Sequence, residues 1–348
     1  MKKVLFATTA LIATASMAAA EVRISGYGRF GLDYNEANGR TAADVNIPGG
    51  GVLGASETNI TSRLRLQFDM STETDGGVVL GARFRAQASS ANNAPGTAVF
   101  NGARFYATYG GFTLGVGNII GAVENMPGLY LETRSAGLGI DGAGFQSLVT
   151  NVNGAVSNGL ALRETFNWDA YSSGGAGANG IEVLYTTGGF TGHISYSNDN
   201  GPVSVDRTAA MVSYTFGDWT AALAAQSSDI AWEDKTVVSI AGDLGQFGVR
   251  LAYADNDGIA KWGLYGNMDI GTASNILIFV TDEDAVSAAD VIAGRGDNRD
   301  TAAFEGSEGT GYGIHYSYDL GGGASFEAGA SQTSWDNTRV QAGVYFSF

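Results

Sequence analysis

The chain has 348 residues and no cysteine, and its acidic side chains outnumber the basic ones by 35 to 19. Without cysteine, a disulfide framework and thiolate metal sites are excluded. The net charge of −16 argues against nucleic acid as a partner, because nucleic acids are bound through basic surfaces.

An export signal is predicted at residues 1–20. Lys2 and Lys3 precede an apolar run that ends in Ala18–Ala20, which is typical of a secretory signal peptide with a small-residue cleavage site. We expect the mature chain to begin at Glu21, with 17 basic against 35 acidic residues and a net charge of −18. Beyond residue 20 no run is long and apolar enough for a membrane helix, so any membrane crossing would use strands.

Short segments of alternating polarity predict an all-β fold. In the first, from Glu21 to about Glu36, apolar side chains fall on one face and polar ones on the other. The next three, at about 60–70, 80–87 and 103–109, alternate in the same way. Further strands are predicted at 112–117, 181–187, 190–197, 204–216, 219–229, 235–244, 247–255, 259–270, 273–282, 309–320, 324–334 and 338–348.

The number of strands and the lengths of their connections favour a transmembrane antiparallel β-barrel over residues 21–348. There are about sixteen predicted strands, and bacterial outer-membrane barrels of one chain have an even number. Connections after even-numbered strands are short, whereas the segments 37–57, 118–179 and 283–308 are long. Short turns at one end and long loops at the other are typical of outer-membrane barrels. The last strand ends in Phe348, as an outer-membrane sorting signal would.

Seven arginines are predicted on the polar face of the first four strands. Near the membrane midplane each would cost about 2–4 kcal/mol on the lipid face, so we expect them inside the barrel. Because like charges repel, they need carboxylates or water opposite them. The alternative is that they only solvate the wall and bind a loop. They are Arg23, Arg29, Arg63, Arg65, Arg83, Arg85 and Arg104.

The longest stretch without a strand pattern runs from Asn118 to Asn179. A structureless segment of this length is unusual in a compact domain unless the loop has a function. We expect it to fold into the bore as a constriction. A charged, narrow and wet pore would orient dipolar solutes, while its diameter would set the size limit.

Several local sequences resemble Gram-negative general porins, and those of alphaproteobacteria in particular. They open the mature chain at Glu21–Gly26 and close it at Gly343–Phe348. Three others are Val78–Phe84, Tyr214–Gly217 and Tyr318–Ala324. The resemblance implies an outer-membrane barrel of sixteen strands, a homotrimer in lipid, and passive diffusion of small hydrophilic solutes and ions.

The same resemblance implies that acidic residues of the third outer loop face the arginine cluster. Here these would be Glu124, Glu132 and Asp141. One difference is that a frequent Pro-Glu-Phe-Gly-Gly loop motif is replaced by Met126–Tyr130.

The sequence leaves two alternative functions and one possible metal site. An outer-membrane barrel enzyme would need a base, for which the chain offers His193 and His315. A secreted β-sandwich adhesin would not explain the terminal phenylalanine or the alternation of loop lengths. A Ca²⁺ ion could bind at Asp282, Glu283 and Asp284, although a solvated acidic loop is the commoner outcome. No other cofactor is expected.

Overall fold

The computed structural model describes residues 20–39, 54–90, 93–131, 168–199, 205–229, 233–284, 308–334 and 336–348. The predicted signal peptide, apart from Ala20, lies outside these residues. The described chain forms one closed antiparallel sheet. Its seventeen strand segments make sixteen barrel strands, because β4 and β5 both pair with β3 and together form one. The prediction of an all-β barrel of sixteen strands is confirmed.

The strand bounds follow the alternating pattern closely, and the predictions 235–244 and 259–270 match residue for residue. A 3₁₀ turn, Glu36–Gly39, follows the first strand. The strands are β1 Glu21–Asn35, β2 Thr58–Glu73, β3 Val79–Ser89, β4 Val99–Phe100, β5 Arg104–Tyr109, β6 Phe112–Asn118, β7 Asn179–Thr187, β8 Phe190–Asp199, β9 Val205–Phe216, β10 Trp219–Ser228, β11 Lys235–Leu244, β12 Phe247–Asn256, β13 Ile259–Ile270, β14 Ser274–Glu283, β15 Gly309–Gly321, β16 Ala324–Gln332 and β17 Thr338–Ser347.

The first and last strands close the barrel. β1 pairs with β2 on one side and with β17 on the other, with Phe30 opposite Val344. Phe348 extends the pairing, since its backbone N–H and C=O exchange hydrogen bonds of 3.0 and 2.9 Å with Gly26. Closure leaves no strand edge, as a barrel in lipid requires.

The two faces of the sheet differ in polarity as the alternation predicts. Large apolar side chains on the outer face are exposed, with Ile60 at 64% and Phe105 at 55%. Polar side chains of the same strands turn inward, where Arg29 is 2% and Arg104 is 5% exposed. The outer face therefore suits lipid, while the inner face suits water and buried polar contacts.

Short turns collect at one end of the barrel, where exposed aromatic rings flank them. Gly110 and Gly111 have φ of +56° and +85°, in the left-handed region that a tight hairpin needs. Tyr109 and Phe112 beside them are 63% and 55% exposed. Such rings are typical of the aromatic girdle at a membrane interface.

One short strand segment was not predicted from the sequence. Val99–Phe100 forms β4, which pairs with β3 at Ala86 and Gln87. Its two residues are too few for an alternating pattern to be visible. No helix among the described residues is long and apolar enough to cross a membrane.

Candidate functional site

Four predicted arginines line the facing strands β2 and β3 on the inner face of the barrel. Arg63 donates through Nε to Ser89 Oγ at 2.9 Å, and Arg65 donates through Nε to Gln87 Oε1 at 2.7 Å. The guanidinium of Arg65 also lies 5.1 Å above the ring of Tyr27. These contacts orient the two arginines through neutral groups.

The second pair of arginines differs in its partners. Arg85 donates through Nε to Gln67 Oε1 at 2.9 Å, again a neutral acceptor. Arg83 instead forms an ion pair with Asp69 at 2.6 Å. Arg23 lies on the same face, with its backbone opposite Asp69 in the pairing of β1 with β2. The strand register therefore brings these arginines into one ladder.

Arg29 is enclosed within this ladder. It is 2% exposed and stands directly opposite Arg63 in the pairing of β1 with β2. Like charges that face each other across strands repel, so this stretch of the inner wall carries a concentrated positive charge.

Arg104, the last predicted arginine, belongs to a buried cluster that the sequence analysis missed. Its Nε donates to Glu182 Oε1 at 2.6 Å. The other carboxylate oxygen lies 3.1 Å from His193 Nε2. Glu182 and His193 are each 1% exposed, and both lie on the inner face. The alternation of β7 and β8 could have placed both inward, but it could not show that they meet.

The long segment 119–178 begins at this cluster. We call residues 119–131 its outgoing limb and residues 168–178 its return limb. Glu182 Oε2 accepts the backbone N–H groups of Ile120 at 3.0 Å and of Gly121 at 3.1 Å. Ser195 Oγ accepts the N–H of Ala122 at 2.9 Å. The wall therefore supplies acceptors for three successive backbone donors of the outgoing limb.

Farther along, the outgoing limb contacts the inner wall at β11 and β12. Ser239 Oγ on β11 donates to the carbonyl of Pro127 at 2.6 Å, and Arg250 Nη1 on β12 donates to the carbonyl of Tyr130 at 3.1 Å. Between them, Gly128 has φ of +88°, and a Cβ there would lie 2.8 Å from Ser239 Oγ. Only glycine therefore fits this approach without displacing the limb.

Apolar side chains of the outgoing limb pack on an unusually apolar part of the inner wall. Val123, Met126 and Leu129 are between 1% and 4% exposed. They belong to one buried cluster with inward residues of β9 to β14. The wall members are Ala209, Met211, Ala222, Ala224, Val237, Ala252, Ala254, Tyr265, Leu277 and Phe279. Burial of apolar surface therefore fastens the limb to this wall.

The return limb is held beside both walls. Arg207 on β9 pairs with Asp169 at 3.4 Å. The ring of Tyr171 lies under the guanidinium of Arg85, 4.5 Å away. The carbonyl of Ser172 accepts hydrogen bonds from the side-chain amides of Asn101 and Asn118. The described ends of the long segment thus contact inward side chains on several strands.

Glu124, one of the predicted acidic residues, is enclosed within the segment. Its Oε2 accepts the hydroxyl of Tyr130 at 2.5 Å and the indole N–H of Trp168 at 2.8 Å. Burial raises the pKa of this carboxyl, while the two hydrogen bonds and the charge of Arg85 oppose the rise. Burial next to Glu124 raises the pKa of the Tyr130 hydroxyl as well. Glu124 therefore ties the outgoing limb to the return limb.

Two of the predicted acidic residues, Glu132 and Asp141, lie outside the described residues. The residues suggested for a cation site do not share one face of the barrel. Glu283 is 3% exposed on the inner face, whereas Asp282 points to the other face and accepts a hydrogen bond from Thr310. Alternation along β14 separates them, because successive side chains of a strand point in opposite directions. The described residues contain no group of three or more His, Asp or Glu side chains that could hold a metal.

Both histidines have buried carboxylate partners. His193 contacts Glu182, and His315 Nε2 lies 2.9 Å from Glu327 Oε2. Each pair joins neighbouring strands of the wall and is at most 4% exposed. A base in this position is not accessible to a solute, so these histidines do not support an enzyme.

A closed barrel with an apolar outside, a charged inside and a long segment whose described ends attach to the inner wall defines a membrane pore protein of the bacterial outer membrane. The model of the Gram-negative porin family matches residues 7–338, and the chain belongs to that family. Porins are channels and not enzymes, and they reside in the outer membrane.

Two curated relatives are both described as porins. The porin of Fuscovulum blasticum is 29% identical over 94% of this chain and 100% of its own length. The porin of Rhodobacter capsulatus is 25% identical with the same coverage. Among solved structures, a triple mutant of Rhodopseudomonas blastica porin matches with a TM-score of 0.70 and 25% identity, over 94% of this chain and 100% of its own.

Proposed function

We propose that the chain conducts small hydrophilic solutes and ions by passive diffusion, and that segment 118–179 forms a charged constriction opposite the arginine wall. The attachment of the described limbs is the observation that carries this proposal. Tyr171 of the return limb lies against Arg85 on β3, and Pro127 of the outgoing limb binds Ser239 on β11, which is seven strands away in the barrel of sixteen. A segment held at both sides narrows the passage between them.

The charge distribution supports selective passage of polar solutes. Apart from the buried Arg29, the inward arginines on β1 to β3 are at least partly accessible, whereas the opposite wall at β9 to β14 is apolar and covered by the outgoing limb. The free passage therefore borders the charged wall. Polar and charged solutes would exchange hydration for contacts with guanidinium groups there, while apolar solutes would gain nothing comparable.

We also propose that the mature protein begins at Glu21 after signal cleavage, folds as one barrel domain over 21–348, and assembles as a homotrimer in outer-membrane lipid. The relatives support a membrane-embedded channel. Intact mass of the extracted protein tests the cleavage site, and native mass spectrometry in detergent tests the trimer. A mass that includes residues 1–20, or a stable monomer, would contradict these two points respectively.

Single-channel recording in planar bilayers tests the pore itself. Stepwise, long-lived and ohmic openings are expected, with reversal potentials in a salt gradient that report the net charge preference. A folded, heat-modifiable protein that inserts into the bilayer without conductance would overturn the proposed function.

A further inference from the structure

Seven of the inward arginines fall into two groups according to their partners. Four are neutralised by nearby carboxylates, and three of these ion pairs are largely buried. The pairs are Arg83 with Asp69, Arg104 with Glu182, Arg207 with Glu233 and Arg339 with Asp33. Such pairs hold strands and the long segment in place, and the carboxylates largely neutralise the charge of these four arginines.

The second group consists of Arg63, Arg65 and Arg85. The Nε of each donates to an uncharged side-chain oxygen, and among the described residues none of the three lies within ion-pair distance of a carboxylate. The ionisable groups that interact with Arg65 are Arg63, Arg85 and two tyrosines. Glu124 acts on Arg85, yet its own carboxylate accepts hydrogen bonds from Tyr130 and Trp168.

These three guanidiniums are also close to one another and oriented. Arg63 and Arg65 are two residues apart on one face of β2, which places their Cα atoms about 7 Å apart. Arg85 lies diagonally across from Arg65, since Gln67 is its partner in the register. Tyr27 and Tyr171 lie against the guanidiniums of Arg65 and Arg85 and limit their rotation.

We propose that Arg63, Arg65 and Arg85 form a binding subsite for solutes that carry a phosphate or another doubly charged oxyanion. The inference rests on the proposed function, because the solute reaches these arginines through an open pore. Guanidinium groups donate two parallel hydrogen bonds to such oxyanions, and fixing Nε beforehand reduces the entropy lost on binding. All three side chains are partly exposed, so a solute in the bore can reach them.

The test measures the chloride current of single channels at a constant ionic strength of about 0.1 M while inorganic phosphate or acetate is added. Phosphate, as a dianion, is expected to reduce the chloride current at concentrations where acetate does not. R65Q and R85Q should each weaken this block about tenfold, as expected for the loss of a hydrogen bond to a charged group. R65K retains the charge but not the fork, so its block should also weaken while its reversal potential in chloride stays unchanged.

R23Q is the matched control, because it removes the same charge from the same inner face. Its position is four residues along β1 from Tyr27, the partner of Arg65, or about 13 Å. That exceeds a Debye length of about 10 Å at 0.1 M salt, so the block should change little.

Equal effects of phosphate and acetate on the original protein would overturn the subsite. So would an R23Q effect as large as that of R65Q, since the mean charge of the wall would then explain the block. The absence of any chloride conductance would instead refute the proposed pore. Each variant is used only if its barrel remains heat-modifiable, and R65K serves if the glutamine variants do not fold.

Discussion

Glu182 is expected to control how firmly the outgoing limb is attached. Its carboxylate accepts hydrogen bonds from Arg104 and from the backbone N–H groups of Ile120 and Gly121, and it contacts His193. E182A leaves two buried backbone donors and a buried guanidinium without this acceptor. An unsatisfied buried donor costs about 1–3 kcal/mol, and breaking a buried ion pair by removing one partner costs about 3–5 kcal/mol.

These costs overlap, because the same local opening relieves all of them. We therefore expect E182A to weaken the attachment by about 3–5 kcal/mol, which corresponds to about two to three and a half orders of magnitude in the population of the detached limb. E182Q keeps an acceptor oxygen without the charge, so its effect should be smaller.

Two measurements report the detachment independently. Hydrogen exchange followed by mass spectrometry should show faster exchange at Ile120 and Gly121, and single-channel records should show more frequent transitions between conductance levels. E327A is the matched control, because it removes the other buried inward glutamate that contacts a histidine. Glu327 contacts Ser325 and His315, which both lie in the wall. Unchanged exchange and current noise in E182A, or equal effects in E327A, would refute the attachment role of Glu182.

Three further substitutions test other contacts of the segment. G128A introduces a Cβ 2.8 Å from Ser239 Oγ at a left-handed φ, so single-channel conductance should change as the limb shifts, and an unchanged value would contradict the fit. L129A truncates a side chain that is only 1% exposed, and such a change typically costs about 2–5 kcal/mol in a core. It should therefore lower the temperature of heat modification. L223A truncates an outer side chain that is 45% exposed and should leave that temperature unchanged. Because burial raises the pKa of the Glu124 carboxyl, the charged form of Glu124 destabilises the fold above that pKa. The thermal stability of the original protein should therefore fall, relative to that of E124Q, as the pH rises through this pKa. Parallel pH profiles of the two proteins would contradict the prediction.

The strand map could be predicted from the sequence because two independent signals agree. Alternation sets the faces of each strand, and paired glycines such as Gly188 and Gly189 mark the hairpins. The same alternation placed Arg29 and Arg104 inside, where both are buried. Parity along one strand is a local property, so it does not depend on knowing the partner strand.

Partners across strands could not be predicted in the same way. Glu182 on β7 contacts Arg104 on β5 across the intervening strand β6. It contacts Ile120 only because the segment turns inward immediately after β6. Nothing in the residues around Glu182 distinguishes it from other inward acids. Likewise, Arg207 on β9 and Asp169 in the return limb are 38 positions apart in the sequence. Such pairs depend on the path of a segment without periodicity.

On the inner wall of β9 to β14, apolar residues occupy positions that alternation would make polar. Ala222 and Ala224 face inward and are 6% and 1% exposed, although the inside of a barrel is ordinarily polar. Small apolar residues are needed there because Leu129 and its neighbours pack on them, and a larger or charged side chain would displace the limb. The pore thus uses one wall to hold its segment by apolar burial. The opposite wall keeps Arg63, Arg65 and Arg85 partly exposed. The apolar attachment of the outgoing limb and the proposed solute contact therefore lie on different strands, and each can be altered separately by mutation.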